Sequence, residues 1–251
     1  MIAIGSETVL SVFVLFCRIG ACLMLMPGIS GPRIPVKVRL FSSFAITLGL
    51  APLLSTEIEP KLSEARPFAL LQIILSESLV GALIGFLGRI FFGALETLAS
   101  AIAMAIGLSS PLTPPPDDSE PLPAIVSLIS LGATVLFFLT NLHWEVLRGL
   151  IASYDALPVS GLFNTQFGLI QIGDCLARSF LLTLRISSPF ILYSLITNLA
   201  VGLAGKFAPQ IPIYFVTVPA VAMGGLFLLY LTCSHLLELF TTGFATWLIS
   251  G

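Results

Sequence analysis

Residues 67 to 107 read PFALLQIILSESLVGALIGFLGRIFFGALETLASAIAMAIG, and this stretch decides the fold class. Its 41 residues include only three charged side chains, Glu77, Arg89 and Glu96. An α-helix rises about 1.5 Å per residue, so one straight helix over this stretch would be roughly 60 Å long, about twice the hydrocarbon core of a bilayer. We therefore expect a membrane helix that bends, folds back or leaves the membrane.

The same apolar character extends over most of the chain. Of its 251 residues, 57% are hydrophobic and 10% are charged, which lies outside the usual range of water-soluble domains. Runs of about 18 or more apolar residues are long enough to cross ~30 Å of hydrocarbon as helices. The sequence therefore predicts an all-α integral membrane protein with about six hydrophobic stretches, at residues 8–26, 40–54, 68–107, 122–142, 176–205 and 211–250.

Charge and motif content argue against several classes of function. The net charge is −2 and the eleven Lys and Arg residues are scattered, so no nucleic-acid surface is predicted. The four cysteines lack C-x-x-C spacing and the two histidines, His143 and His235, lack H-E-x-x-H spacing, so no metal site is expected. Without a G-x-S-x-G elbow or a Walker loop, the sequence predicts neither an enzyme nor a cofactor.

Three connections between the apolar stretches carry topology signals. Residues 27–39 contain Arg33, Lys37 and Arg39 but no acid, which places them on the cytoplasmic side and the N-terminus outside. Residues 55–66 mix acids with bases, and by alternation they form an outer loop. Residues 143–161 are amphipathic and end in a Pro/Gly turn, as expected of an interfacial helix.

Small residues recur at every fourth position of the long stretch, interrupted by one arginine. Small side chains at this spacing let helix backbones approach closely. They predict a ridge for tight helix packing, against this chain or a partner, formed by Gly81, Gly85, Arg89, Gly93, Thr97, Ala101 and Ala105.

Charged residues inside apolar runs form a second set of candidates. Each costs about 2.5 to 3.5 kcal/mol at a helix centre on insertion scales, so each is expected to face protein or water. Arg89 and Glu96 lie two turns apart on one helical face, which favours an ion pair; a proton relay or ion site is the functional alternative. The set is Arg18, Glu77, Arg89, Glu96, Arg185 and Glu238.

Residues 109–123 separate two apolar stretches with a proline-rich acidic segment, SSPLTPPPDDSEPLP. The prolines forbid a helix, and Asp117, Asp118 and Glu120 are accompanied by no Lys or Arg. Composition alone predicts an extended loop on the outer side of the membrane.

Three segments, in order, resemble the FliR family of flagellar biosynthetic proteins. The first has an Arg early in the first helix, a Pro-Gly turn, a further Pro and Arg, and an apolar helix ending in Pro, here Arg18, Pro27, Gly28, Pro35, Arg39 and Pro52. The second has the family's Phe-x-x-Asn-x-His stretch and Ser-aromatic-x-x-x-Pro turn, here Phe138, Asn141, His143, Ser153, Tyr154 and Pro158. The third, residues 208–219, resembles its Pro-Gln-x-x-x-aromatic motif.

This resemblance implies a subunit of the type III export gate in the bacterial inner membrane, within the flagellar basal body. Its implied partners are FliP-like, FliQ-like and FlhB-like membrane proteins, and its implied cargo is unfolded export substrates. The family resembles a FliP-like part, here residues 1–175, fused to a FliQ-like helical hairpin, here residues 176–251, built as bent helical hairpins. Related SctT proteins of virulence secretion leave a virulence system as the alternative.

The resemblance also changes the interpretation of residues 107–123. In that family the corresponding loop projects into the pore as a plug, whereas its usual short Asp-Pro segment is here proline-rich. The implied plug residues are Gly107, Leu108, Ser109, Ser110, Pro111, Leu112, Pro114, Asp117 and Asp118.

A self-contained secondary transporter is the competing class of function. Such a protein needs a midplane binding site at broken helices, often within inverted repeats, and breaks near Pro189 and Pro209 are compatible with that. No convincing internal duplication is visible, however, and the intramembrane acids do not cluster. An intramembrane enzyme ranks third because no paired catalytic residues are apparent.

Overall fold

A computed structural model describes residues 6–31, 34–63, 66–108, 123–159, 165–207 and 213–250. Within these ranges the chain forms seven α-helices and no strand, which confirms the all-α prediction. The helices are α1 (Ser6–Leu25), α2 (Val36–Ser63), α3 (Pro67–Ala105), α4 (Ala124–Leu139), α5 (Leu142–Ala156), α6 (Thr165–Phe207) and α7 (Ile213–Ser250).

Five helices in the described part of the chain are long and apolar enough to cross a membrane, namely α1, α2, α3, α6 and α7. Helices α4 and α5 satisfy the same test together, as a pair bent by 69°. Counting that pair as one span gives six, which confirms the prediction of about six hydrophobic stretches in a membrane protein. The bend falls at Asn141, whose φ of 59° is left-handed. Asparagine tolerates that conformation better than most side chains do.

The prediction of a loop over residues 55–66 is wrong, because α2 continues to Ser63. The acids and bases of this segment suggested a loop, but Glu and Lys are also good helix formers, so the helix extends beyond its apolar part. The start predicted for the next-to-last stretch, residue 176, is also wrong, because the polar residues and glycines that interrupt the apolar side chains of residues 165–175 lie inside a helix. Helix α6 begins at Thr165, before the uninterrupted apolar run.

The long third stretch is one uninterrupted helix, α3, of 39 residues. The option that it folds back on itself is therefore wrong. Helix α6 likewise continues through Pro189, so the break predicted there is absent, while Pro209 lies outside the described residues.

The chain divides into two compact units. Unit 1 comprises Met1–Ile90 and Leu142–Leu176, and unit 2 comprises Phe91–Asn141 and Ala177–Gly251. The boundaries fall inside α3 and α6, so each of these two helices contributes to both units.

Unit 1 is held together by an apolar core from α1, α2 and α5. One face of α5 supplies residues at every fourth position, Leu142, Val146, Leu150 and Tyr154, and all of them are buried. The helix predicted within residues 143–161 is thus confirmed, but its apolar stripe packs inside unit 1 and is not available to lipid. The core includes Val14, Leu15, Ile19, Cys22, Leu23, Ala51, Leu54, Ile58, Leu150, Tyr154 and Val159.

Unit 2 has an aromatic core built from α3, α4 and α7. The rings of Phe91 and Phe244 lie 5.4 Å apart, those of Phe92 and Phe240 lie 5.3 Å apart, and both pairs are edge to face. Phe137 of α4 packs edge to face on Phe92 at 6.2 Å. Such pairs contribute about 0.5 to 1.5 kcal/mol each beyond the area they bury.

Candidate functional site

The candidate site of unit 1 is a buried ion pair between α1 and α3. The Arg18 side chain is 1% exposed and that of Glu77 is 2% exposed. The guanidinium donates from Nε to Glu77 Oε2 at 2.6 Å and from Nη2 to Oε1 at 2.8 Å. This is the two-pronged geometry in which arginine binds a carboxylate most strongly.

The C-terminal end of α5 completes the shell around the same guanidinium. Arg18 Nη1 donates to the carbonyl oxygen and to the Oγ of Ser153, both at 3.1 Å, and Nη2 donates to the Leu157 carbonyl at 2.8 Å. The last carbonyls of a helix carry partial negative charge, so a cation is favoured there. The Tyr154 ring lies 4.0 Å below Arg18 Cζ, a cation–π contact.

These contacts use all five N–H donors of Arg18: two bond Glu77, two bond Ser153 and one bonds Leu157. A buried pair is stable only when its remaining donors are satisfied, and that condition is met here. The arrangement supports the structural-pairing interpretation of the intramembrane charges over a proton relay, because no donor remains for a mobile ion or proton path. We name Arg18, Glu77, Ser153, Tyr154 and Leu157 the arginine cluster.

Glycines of α3 bring the backbone of α1 close enough for this pairing. A Cβ added at Gly81, one turn after Glu77, would collide with backbone atoms of Arg18, and one at Gly85 would collide with the Cys22 carbonyl. A Cβ at Gly88 would meet the Met26 sulfur at 3.0 Å. Gly81, Gly85 and Gly88 thus meet Arg18, Cys22 and Met26 in that order, so residue numbers increase in the same direction along both segments. Helices α1 and α3 therefore run parallel where they cross.

The remaining members of the predicted ridge are less buried than Gly81 and Gly85 within the described residues. Thr97 and Ala101 are exposed, Gly93 and Ala105 are half-buried, and a Cβ at Gly93 would have no atom within 4 Å. The ridge therefore has an inner half, Gly81 and Gly85, and an outer half, Gly93, Thr97, Ala101 and Ala105.

The other intramembrane charges differ from Arg18 in their surroundings. Arg89 and Arg185 are exposed on this chain, and Glu96 is half-buried. Glu96 Oε1 accepts a hydrogen bond from Ser130 Oγ at 2.8 Å, a contact between α3 and α4 in place of the expected pair with Arg89. Any protein or water environment that Arg89 and Arg185 require must come from outside the described chain.

The start of the predicted plug is visible as the end of α3. Gly107 has φ +75°, the Leu108 N–H bonds the Ala103 carbonyl at 2.8 Å, and the Gly107 N–H bonds the Met104 carbonyl at 3.2 Å. This is a Schellman cap with glycine in its left-handed position. The other predicted plug residues lie outside the described residues: Ser109, Ser110, Pro111, Leu112, Pro114, Asp117 and Asp118.

Sequence reasoning missed the arginine cluster although its signals were present. Arg18 and Glu77 are opposite charges in two separate membrane helices, and both required a partner. Ser153 and Tyr154 belong to a motif that resembles a known family, but that resemblance did not identify them as partners of Arg18. Within the described ranges no group of three His, Cys, Asp or Glu side chains could hold a metal ion.

Comparison with known proteins gives consistent matches over most of the chain. The family described as bacterial export proteins, family 1, matches residues 9–247. The flagellar biosynthetic protein FliR of Caulobacter vibrioides is 31% identical, over 90% of this chain and 89% of its own length. FliR of Escherichia coli is 28% identical over 84% and 80%, and Yop proteins translocation protein T of Yersinia pestis is 24% identical over 88% and 85%.

Proposed function

Because this chain belongs to the bacterial export proteins of family 1, a component of flagellar or type III export, we propose that it is a subunit of the flagellar export gate. With FliP-like and FliQ-like proteins it forms a pore for unfolded substrates, and a FlhB-like protein joins them. The gate lies in the inner membrane at the flagellar basal body. The higher identity to FliR than to the Yersinia protein favours the flagellar system over the virulence alternative.

The observation that carries this proposal is the outer half of the small-residue ridge on α3. Its inner half packs against α1, whereas Gly93, Thr97 and Ala101 continue the same spacing with no such helix over them. In a membrane, where apolar side chains gain little by leaving lipid, close backbone approach at small residues is a main source of helix association. The outer half therefore suits a helix of a neighbouring subunit.

Exposed apolar side chains support the same proposal. Phe207 and Phe215 are each 83% exposed and Tyr230 is 81% exposed. Lipid or neighbouring subunits must cover such surfaces, and a gate subunit has both around it. The division into a FliP-like part, residues 1–175, and a FliQ-like hairpin, residues 176–251, remains part of this proposal. One unit boundary lies between Leu176 and Ala177, whereas unit 2 also includes Phe91–Asn141 of the FliP-like part.

Co-purification is the experiment that tests the proposal. A tagged copy of this chain, co-expressed with FliP-like and FliQ-like proteins, is expected to carry both through detergent purification. Gly93→Leu is expected to reduce their recovery severalfold, because its side chain occupies the space of the approaching helix. Gly202→Leu is the matched control: Gly202 lies on α6, and a Cβ there also meets nothing within 4 Å.

Recovery of this chain alone or as a homo-oligomer, with both partners present in the membrane, would contradict the gate assignment. It would favour the secondary transporter, for which vesicles holding this chain alone would take up a small solute.

The segment 107–123 is proposed as the element that closes the pore at rest. It begins at the Gly107 cap and ends at Pro123, directly before α4. Both flanking helical segments, residues 91–105 of α3 and α4, belong to unit 2, so both ends of the loop are attached to one compact body.

Deleting residues 110–120 is expected to make the assembled gate conduct ions, because the shortened connection no longer reaches into the pore. Conductance of planar bilayers holding the purified gate is the measurement, and equal recovery of FliP-like and FliQ-like proteins with the deletion variant shows that assembly is intact. An assembled deletion gate with wild-type conductance would remove the plug assignment.

A further inference from the structure

Helix α6 contains an uncharged segment, bounded by two basic residues, whose length equals the thickness of the hydrocarbon core of a bilayer. Residues 186–205 contain no charged side chain, with Arg185 directly before them and Lys206 directly after them. Twenty helical residues rise about 30 Å, the thickness of the hydrocarbon core. A bilayer span over residues 186–205 would place Arg185 and Lys206 at the two headgroup levels and the earlier part of α6 outside the hydrocarbon.

Helix α7 also has an uncharged stretch, and this stretch ends beside Arg185. It carries no Asp, Glu, Lys, Arg or His from Ile213 to Ser234, and His235 follows. In unit 2 the two helices run antiparallel: Tyr193 Oη donates to the Val221 carbonyl at 2.7 Å, and Leu182 lies against Gly243. Arg185 and His235 line the same pocket, so a span over residues 186–205 would bring His235 to the same level as Arg185.

That pocket has a volume of about 330 Å³ and is partly open. Its polar edge holds Arg185 and His235, both exposed, while Ile186, Leu236 and Leu239 form apolar walls. A cavity lined by the arginine guanidinium, an imidazole and apolar side chains matches an amphipathic anion.

The hydroxyls of the pocket are already engaged as donors. Pro189 has no N–H to bond the Arg185 carbonyl four residues earlier, and Ser188 Oγ donates to that oxygen at 2.8 Å in its place. Thr232 Oγ1 donates to the Leu228 carbonyl at 2.8 Å. Arg185 and His235 are therefore the groups left to donate into the pocket.

No carboxylate neutralises this edge within the described residues. The ion pairs there are Arg18–Glu77 and Arg148–Glu145, and neither includes Arg185. Glu238, the nearest acid along α7, is exposed and does not line the pocket. An arginine next to hydrocarbon requires an anion or water, and the phosphate of a lipid is the anion available at this level.

We propose that the Arg185–His235 pocket binds one anionic phospholipid. Its phosphate lies on Arg185 and His235, and its acyl chains follow the hairpin into the hydrocarbon. The continuation of the pocket face toward the membrane is apolar and exposed: Leu192 and Ile196 follow Arg185 at helical spacing, and Leu231 precedes His235 by one turn. This site depends on the membrane embedding of the hairpin and not on the export-gate proposal.

Native mass spectrometry of the full chain, delipidated and then incubated with phosphatidylglycerol or phosphatidylcholine, tests the proposal. The wild-type chain is expected to retain phosphatidylglycerol preferentially, and Arg185→Gln is expected to weaken that binding about tenfold, since a charge-assisted hydrogen bond is lost. Arg89→Gln is the matched control, because Arg89 is an exposed arginine in an apolar helix outside the pocket. His235→Gln, with an expected loss of about threefold, provides a second test if Arg185→Gln does not fold.

Three results would overturn the proposal. Equal phosphatidylglycerol binding by wild type and the pocket variants would show that lipid binds elsewhere. Displacement of the lipid by inorganic phosphate at millimolar concentration would indicate a site for a free anion. Loss of the lipid when FliP-like and FliQ-like proteins join the chain would indicate that a carboxylate of a neighbouring subunit occupies the pocket.

Discussion

Replacing Glu77 by Gln is expected to lower the free energy of unfolding by about 3 to 5 kcal/mol, because it leaves the Arg18 charge buried without a counter-charge. The guanidinium keeps its bonds to Ser153 and Leu157, but the amide nitrogen that replaces one Glu77 oxygen faces an N–H donor. In an apolar surrounding an unpaired donor or charge costs more than the net gain of an ordinary hydrogen bond.

The two tryptophans allow this loss to be assigned to one unit. Trp144 belongs to unit 1 and Trp247 to unit 2. In a Trp247→Phe background, fluorescence of Trp144 during denaturant titration in mixed micelles reports on unit 1. Asp174→Asn, which removes an exposed carboxylate from the part of α6 in unit 1, is the matched control and is expected to change stability by less than about 0.5 kcal/mol.

A double variant separates loss of the pair from loss of packing. Arg18→Met combined with Glu77→Leu removes both charges, and it is expected to recover more than half of the stability lost in Glu77→Gln. A Glu77→Gln chain within about 1 kcal/mol of wild type would show that the pair is not needed to hold unit 1 together.

Gly81→Ala is expected to destabilise unit 1 by about 3 kcal/mol, the upper end of the range for overpacking. The added methyl group would collide with the backbone of Arg18, which cannot move aside as a flexible side chain does. Because Gly81 lies one turn from Glu77, separating the helices there also draws the carboxylate away from the guanidinium.

Gly93→Ala on the same helix is the control for this prediction. A Cβ at Gly93 meets no atom within 4 Å, so the isolated chain is expected to gain up to about 1 kcal/mol from the better helix propensity of alanine. Trp144 fluorescence in the Trp247→Phe background measures Gly81→Ala in unit 1, and Trp247 fluorescence in a Trp144→Phe background measures Gly93→Ala in unit 2. Equal stability of the Gly81 and Gly93 variants would mean that the close crossing of α1 and α3 does not determine the stability of unit 1.

The two halves of the α3 ridge show how far sequence reasoning reaches. The four-residue spacing correctly identified Gly81 and Gly85 as positions of close backbone approach, yet the same spacing continues to Thr97 and Ala101, which are exposed among the described residues. Periodicity defines a face of a helix but does not specify which partner meets it. Gly88 was missed because it lies off the strict four-residue series.

The intramembrane charges likewise show that a sequence pattern does not identify the partner of a residue. Insertion cost alone predicts that Arg18 and Glu77 need partners, but spacing along one helix favoured Arg89 with Glu96. The observed acceptors of Arg18 come from α3, from α5 and from the turn after α5, so they depend on how three helices cross. The predicted helix boundaries were wrong at the end of α2, where charged residues suggested a loop, and at the start of α6, where polar residues and glycines interrupt the apolar run.

The arginine cluster also constrains the order of events during biosynthesis. Glu77 leaves the ribosome 59 residues after Arg18, and Ser153 follows Arg18 by 135 residues. The first helix thus reaches the translocation machinery with a charge whose acceptors have not yet been made. All of these acceptors are present only after the fifth helix has been made, so unit 1 is completed after translation has passed through the first segment of unit 2.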